Sequence, residues 1–73
     1  MKNESKQFLQ QIGDKVRELR TDRKLTQAQL ADACGLHRTF IGSVERGERN
    51  VAVLSLRRIA KALRVSVSHL VEG

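Results

Sequence analysis

The segment from residue 26 to residue 47, TQAQLADACGLHRTFIGSVERG, constrains the fold of this chain more than any other feature. Its apolar and small residues follow a helical period on both sides of Gly35, which divides the segment into two short amphipathic halves. Glycine readily adopts a positive φ, so Gly35 suits a turn between two helices. The segment therefore predicts two short helices that pack together across a tight turn.

The residue types in this segment match what a DNA-reading helix-turn-helix needs at this spacing. Gln27 supplies a polar first turn, Ala31 a small side chain at the helix crossing, and Gly35 the turn. Ile41 and Val44 are placed to fill the core from the second helix. We therefore interpret residues 26–47 as a helix-turn-helix whose second helix enters the major groove.

The charge of the chain favours a polyanionic partner. Its 73 residues include 14 Lys and Arg against 8 Asp and Glu, which gives a formal net charge of +6. A basic helix on a membrane surface is the competing interpretation, but no long helical face combines Lys and Arg with Trp, Phe and Leu. Double-stranded DNA is thus the expected partner.

Composition predicts an all-α protein. The sequence has no Pro, Trp or Tyr and only two Phe, so its core must consist of Leu, Ile, Val and Ala, as a helical bundle allows. A chain of this length supports one core, and we expect a single domain over residues 1–73. There is no apolar run of about 20 residues and no apolar signal segment, so a cytoplasmic location is expected.

The reactive residue types do not form a catalytic set. Cys34 is the only cysteine, and its position beside Gly35 favours a small buried side chain over a redox-sensing thiol activated by His37 or Arg38. With two histidines far apart and no CxxC or HExxH spacing, we expect no enzyme, metal site, cofactor or small-molecule ligand.

Apolar spacing and capping residues place the other helices. A stripe at residues 9, 12, 16 and 19 predicts a first helix over about residues 5–23, although Gly13 suggests that its ordered part begins near residue 13, after a fraying arm of eight residues. Thr26 caps the second helix with Gln29 in a capping box, and Gly47 closes the third after Arg46.

Two more helices follow a loop at residues 48–52. Leu56, Ile59, Ala60 and Leu63 have the spacing of a helical stripe, and Ser66 can cap a last short helix. The apolar residues at this end outnumber the inward positions that so short a helix offers, which indicates a partner surface. We expect it to include Leu54, Val65, Val67, Leu70 and Val71.

Over about residues 9–71 the chain resembles the Cro and lambda-repressor-like helix-turn-helix family, also called the XRE family. IGDKVRELR, LTQAQLA, LHRTFI, VERGERN and LRRIAKALRVSVSHL occur in family order and spacing. The segment HRTFIGSVERGERN in so short a chain resembles the controller proteins of restriction-modification systems. Lys24 and Arg64 stand where the family often has Gly, and Ala52 replaces the usual Ser or Thr cap.

The resemblance implies a compact five-helix bundle of the lambda-repressor-like type, with residues 53–73 as a dimerisation region. It also implies a homodimeric transcription regulator on a pseudo-palindromic operator. An antitoxin-like module that binds a partner protein and also its operator is the alternative, although few residues flank the helices to form a partner-binding tail. A partly buried ion pair between Arg20 and Glu45 is implied as well.

The recognition helix and its flanks supply the candidate DNA contacts. Base reading is assigned to Arg38, Thr39 and Ser43, with His37 at the helix entrance touching a base or a phosphate. Phosphate binding is assigned to Thr26, Gln27, Arg46, Arg49 and Asn50. A solvated charge at Arg38 and plain surface hydroxyls at Thr39 and Ser43 are the alternatives. Phe40 packs beneath the helix, contacts a thymine methyl or meets a dimer partner, and we favour packing.

Overall fold

The computed structural model describes residues 2–72, with the side chains of residues 4–72. This part of the chain contains α-helices and no strand, so the all-α prediction is confirmed. The five helices are α1 (Lys2–Asp22), α2 (Gln27–Cys34), α3 (Arg38–Glu45), α4 (Val53–Leu63) and α5 (Val67–Glu72). The predicted arm and dimerisation region also included Met1 and Gly73, which lie outside the described residues.

Helix α1 corrects the sequence-based prediction at its N-terminal end. It runs without a break from Lys2 through Gly13, so an ordered helix that begins near Gly13 after a frayed arm is wrong. Gly13 is required for packing: a Cβ atom there would meet the carbonyl oxygen of Val44 and lie 2.8 Å from that of Glu45. The glycine therefore lets α1 lie directly against the end of α3, which offsets its low helix propensity.

The caps of α2 follow the sequence. The Thr26 hydroxyl accepts a hydrogen bond from the Gln29 backbone N–H at 3.0 Å, and the Gln29 side chain accepts one from the Thr26 N–H at 2.8 Å. At the other end Gly35 adopts φ 71°, and its N–H donates to the carbonyl of Ala31. The capping box and the left-handed glycine fix the length of α2 and direct the chain into α3.

The three departures from the family pattern lie at helix ends. Lys24 and Arg64 adopt positive φ, at 58° and 61°, a conformation that costs roughly 1 kcal/mol for a residue with a Cβ atom. Ala52 makes no side-chain hydrogen bond at the start of α4, whereas Ser66 accepts one from the His69 N–H at 3.1 Å. These positions weaken the ends of α1 and α4 without touching the surface of α3.

One apolar core lies between the helices. Its largest fully buried side chains are Val16, Leu30, Ile41, Val44, Ile59, Leu63 and Leu70. Cys34 is also buried, as expected, and burial raises the pKa of its thiol. Among the described residues no helix is long and apolar enough to cross a membrane.

The C-terminal helix corrects the predicted partner surface. Leu70 is 1% exposed and belongs to the core, so its assignment to an exposed interface is wrong. Val65, Val67 and Val71 are half-buried against the same core, and of the five predicted residues only Leu54, at 73% exposure, is open to solvent. The physical reason is that α5 packs against α1, for which the sequence predicts a fraying arm over the first eight residues.

Candidate nucleic-acid interface

Helix α3 begins at the surface with a side-chain cap. The Nδ1 atom of His37 accepts a hydrogen bond from the Thr39 backbone N–H at 3.1 Å. Such a cap satisfies one of the free N–H groups at the start of the helix and fixes the direction in which it leaves the turn. His37 therefore has a structural role, and its exposed ring lies at the entrance where a base or phosphate contact is predicted.

The first turn of α3 presents Arg38 and Thr39 to solvent. Within the described part of the chain the guanidinium of Arg38 forms no hydrogen bond or ion pair. An unpaired guanidinium at the start of an exposed helix is available for the two-pronged contact with guanine O6 and N7. The structure thus keeps the predicted base-reading arginine free.

Ser43 and Arg49 were predicted to contact bases and phosphates separately, but here they contact each other. The Ser43 hydroxyl donates to the Phe40 carbonyl at 2.8 Å and accepts from Arg49 Nε at 3.3 Å. The Arg49 guanidinium also lies 5.2 Å from the centre of the Phe40 ring, within cation–π range. Ser43 is only 7% exposed, so a base can reach it only if Arg49 moves away.

Phe40 is half-buried against the core, which agrees with the favoured packing interpretation. Its ring therefore serves as a support for two parts of the interface. The Phe40 side chain packs against the core, and the guanidinium of Arg49 lies over its ring. This arrangement holds the loop after α3 close to the recognition helix.

A buried network connects three helices behind the interface. Glu45, at the end of α3, accepts hydrogen bonds from Arg20 Nε at 2.6 Å, from Arg20 Nη2 at 3.0 Å and from Gln27 Nε2 at 3.0 Å. The ion pair implied by the family resemblance is therefore present. Hydrogen bonding to Glu45 raises the pKa of Arg20, against the opposing effect of burial.

Gln27 joins the predicted phosphate contacts at the start of α2 to this network. Its amide reaches Glu45, while its Oε1 atom faces Gly42 on α3. A Cβ atom at Gly42 would lie 3.4 Å from Gln27 Oε1 and 3.2 Å from Arg46 Nη1. The absence of a side chain at Gly42 therefore leaves room for Gln27 and Arg46 to lie close to α3.

The other predicted phosphate-binding residues lie around this surface. Thr26 is exposed at the start of α2, where free N–H groups favour an anion. Arg46 is exposed and pairs with Glu48 at 3.0 Å, and Arg49 and Asn50 are exposed in the following loop. An exposed pair of this kind is weak, so Arg46 can exchange Glu48 for a phosphate at low cost.

The sequence did not reveal three further residues, one of which lies behind this interface and two at an apolar groove. Gln10 donates from Nε2 to Asp14 at 2.8 Å and to the Glu45 carbonyl at 3.2 Å, and so ties α1 to the end of α3. Phe8 and Val53 are 46% and 73% exposed beside an apolar groove between α1, α4 and α5. The only signal for the last two was their position outside the apolar stripes of α1 and α4.

A short helix that exposes a free arginine, set across a capped helix whose start can receive a phosphate, defines a DNA-binding helix-turn-helix protein. The family model for helix-turn-helix proteins matches residues 16–70, and the chain belongs to this family. The expected resemblance is confirmed.

Two of the similar proteins are control proteins. The chain is 52% identical over 59 residues to control protein C.SmaI of Serratia marcescens. The matched segment covers 81% of this chain and 70% of the relative. It is 43% identical over 62 residues to control protein C.BamHI of Bacillus amyloliquefaciens, covering 84% and 76%.

The fold agrees with these sequence similarities. The crystal structure of the restriction-modification controller protein C.AhdI from Aeromonas hydrophila superposes with a TM-score of 0.83 at 42% identity. The superposition covers 85% of this chain and 94% of that protein. The chain is therefore a DNA-binding transcription regulator of the helix-turn-helix type.

Proposed function

We propose that this chain controls a restriction-modification system by binding a specific operator as a homodimer. The observation that carries the proposal is Arg38, an unpaired guanidinium on the exposed first turn of α3. The similarity to control and controller proteins supports the kind of system that is regulated. The same proposal assigns no enzymatic activity. It also assigns a cytoplasmic location, since these relatives are bacterial and bacterial DNA lies in the cytoplasm.

Base readout in this proposal begins at the first turn of α3. Arg38 binds a guanine through two hydrogen bonds, and Thr39 offers a hydroxyl and a methyl group to the neighbouring base pair. His37 contacts a base or phosphate from the helix entrance. Ser43 contributes after Arg49 leaves it for the DNA backbone, so these two predicted contacts form together.

Phosphate contacts set the position of the recognition helix in the groove. Thr26 and Gln27 hold one strand from the start of α2, and Arg46, Arg49 and Asn50 hold the backbone on the other side of α3. The network of Arg20, Gln27 and Glu45 supports this geometry, because Gln27 at the start of α2 and Arg20 of α1 both bond Glu45 at the end of α3, at 3.0 and 2.6 Å. The phosphate contacts at the start of α2 are therefore held in place relative to the recognition helix.

We place the homodimer contact on the apolar groove between α1, α4 and α5. Phe8 and Val53 are exposed at this groove, and its lining contains no charged residue. A second copy with the same charge of +6 is tolerated best where neither partner brings cations to the contact. This location adds the N-terminal half of α1 to the predicted region 53–73.

Selection from random DNA duplexes tests the proposed function. The expected product is a pseudo-palindrome whose half-sites are about 10 base pairs apart, because two symmetry-related recognition helices enter successive major grooves. A reporter driven by the selected operator beside restriction and modification genes then tests regulation. Failure to enrich any sequence above random duplexes contradicts specific binding, and enrichment of single half-sites only contradicts the dimer.

A further inference from the structure

Helix α4 carries a cluster of cations that the DNA contacts do not use. The cluster is exposed and consists of Arg57, Arg58 and Lys61 within α4 and Arg64 directly after the helix. Helix α4 contains no acidic residue. Within the described residues none of these four side chains forms an ion pair or hydrogen bond, whereas the side chains of Lys15 and Arg46 each pair with a glutamate. Like charges at positions i and i+4, such as Arg57 and Lys61, destabilise a helix, so this pattern opposes local stability.

An exposed leucine lies among these cations. Leu54, Arg57, Arg58 and Lys61 have the i, i+3, i+4, i+7 spacing of one helix face and line one shallow depression. We call these four residues the α4 basic surface. Leu54 is 73% exposed, and its apolar side chain lies on the side of α4 away from the buried Leu56 and Ile59.

A second depression continues this surface toward α2. Arg58 and Lys61 form its charged side, and Ala33, Cys34 and Ala62 form its apolar side. The two depressions share Arg58 and Lys61, so cationic and apolar groups alternate across a continuous area. A ligand that fits this area must combine negative charge with apolar side chains.

We propose that the α4 basic surface docks an acidic segment of a partner protein. Glutamate or aspartate side chains of the segment pair with Arg57, Arg58 and Lys61, and one of its apolar side chains covers Leu54. Charge complementarity selects the partner and speeds the encounter, while burial of the leucine holds the complex. This inference does not depend on the identity of the operator.

Two other occupants fit the surface less well. A second copy of the chain in a two-fold contact would bring the same cations against each other, at a cost in free energy. A DNA backbone would satisfy the cations but leave Leu54 against phosphates. The second depression also borders the C-terminal end of α2, whereas the predicted phosphate contacts Thr26 and Gln27 lie at the start of that helix.

The test compares two charge-reversal variants of the full chain. Arg57→Glu with Lys61→Glu reverses two of the three cations of the α4 basic surface, and Lys6→Glu with Arg17→Glu makes the same change in net charge at exposed positions of α1. The probe is a labelled synthetic helical peptide of Glu and Leu, with a Lys and Leu peptide as its control. Binding is measured by fluorescence anisotropy, and helicity of each variant is checked by circular dichroism.

We expect the α4 variant to lower affinity for the acidic peptide at least about tenfold and the α1 variant to change it by less than about twofold. Leu54→Gln should weaken binding of the same peptide without changing the salt dependence of that binding, since no charge is altered. Equal losses in both charge variants, or no effect of Leu54→Gln, overturn the proposal. A selective loss of operator affinity in the α4 variant, with peptide binding retained, shows a DNA surface and also overturns it.

Discussion

Arg20 and Glu45 are 25 residues apart in sequence and are joined by two hydrogen bonds, of 2.6 and 3.0 Å, between α1 and the end of α3. Both side chains are largely buried, at 12% and 4% exposure. Arg20 also donates to the carbonyl of Leu25 at 2.7 Å, in the turn before α2. One guanidinium therefore contacts both the turn that leads into α2 and the end of the recognition helix.

Loss of one partner of this ion pair should destabilise the fold. We expect Arg20→Met to lower the free energy of unfolding by about 3 kcal/mol, because Glu45 is left as a buried carboxylate without its cation. The double variant Arg20→Met with Glu45→Leu should recover much of this loss. Urea titrations check both, and an Arg20→Met variant as stable as the parent contradicts the assignment.

The glycine in α1 should be intolerant of a methyl group. Gly13→Ala is expected to destabilise the protein by about 1–3 kcal/mol despite the better helix propensity of alanine, since the new Cβ meets backbone carbonyls of α3. Gly42→Ala is the matched control, because its nearest neighbours are the movable ends of Arg46 and Gln27. Its stability should stay within about 1 kcal/mol of the parent. The reverse order of stabilities in thermal melts contradicts this packing.

The two arginines at opposite ends of α3 should contribute differently to DNA binding, Arg38 to sequence preference and Arg46 to affinity for any sequence. Arg38→Ala is expected to weaken specific binding by about 1–3 kcal/mol and to relax one base pair per half-site, while random DNA is bound nearly as before. Arg46→Ala should weaken binding to all sequences and make the slope of log K against log salt shallower by roughly one unit per lost phosphate contact. Equal losses for Arg38→Ala on operator and random duplexes show a phosphate contact instead.

The dimer groove and the core should respond differently to a charge. Val53→Asp places a carboxylate at an exposed position of the groove and should weaken dimerisation at least about tenfold with helicity retained. Leu70→Asp should unfold the chain, because Leu70 is buried within it. Sedimentation equilibrium and circular dichroism separate the two effects. A folded Val53→Asp variant that dimerises as the parent does rejects this groove.

The thiol of Cys34 should be unreactive until the protein unfolds. Burial raises its pKa, so at neutral pH it remains a protonated thiol in the native state. The folded state then binds a proton more tightly than the unfolded state, and the stability from the neutral thiol is lost as pH rises through the native pKa. Relative to Cys34→Ala, the parent should lose stability on the alkaline side, as urea titrations over pH can measure. Rapid labelling of native protein by a thiol reagent contradicts this.

Local sequence signals predicted both ends of α2. Thr26 and Gln29 define the start of α2, and Gly35 its end, because capping needs only neighbouring backbone groups. Lys24 and Arg64 both adopt a positive φ at the positions where the family often has Gly, which the resemblance indicated and local spacing did not. The assignment to the helix-turn-helix class rests on the same local spacing.

Contacts between distant segments decided the rest. The sequence by itself determined the presence of five helices, the capping box and C-cap of α2, and the family, because periodicity and turn chemistry act over a few residues. Only the tertiary structure decided that Gly13 is a contact point rather than a break and that Leu70 is buried where α5 packs on α1 and α4. It also decided that Arg49 covers Ser43, because burial depends on neighbours brought together by folding and not on spacing along one helix.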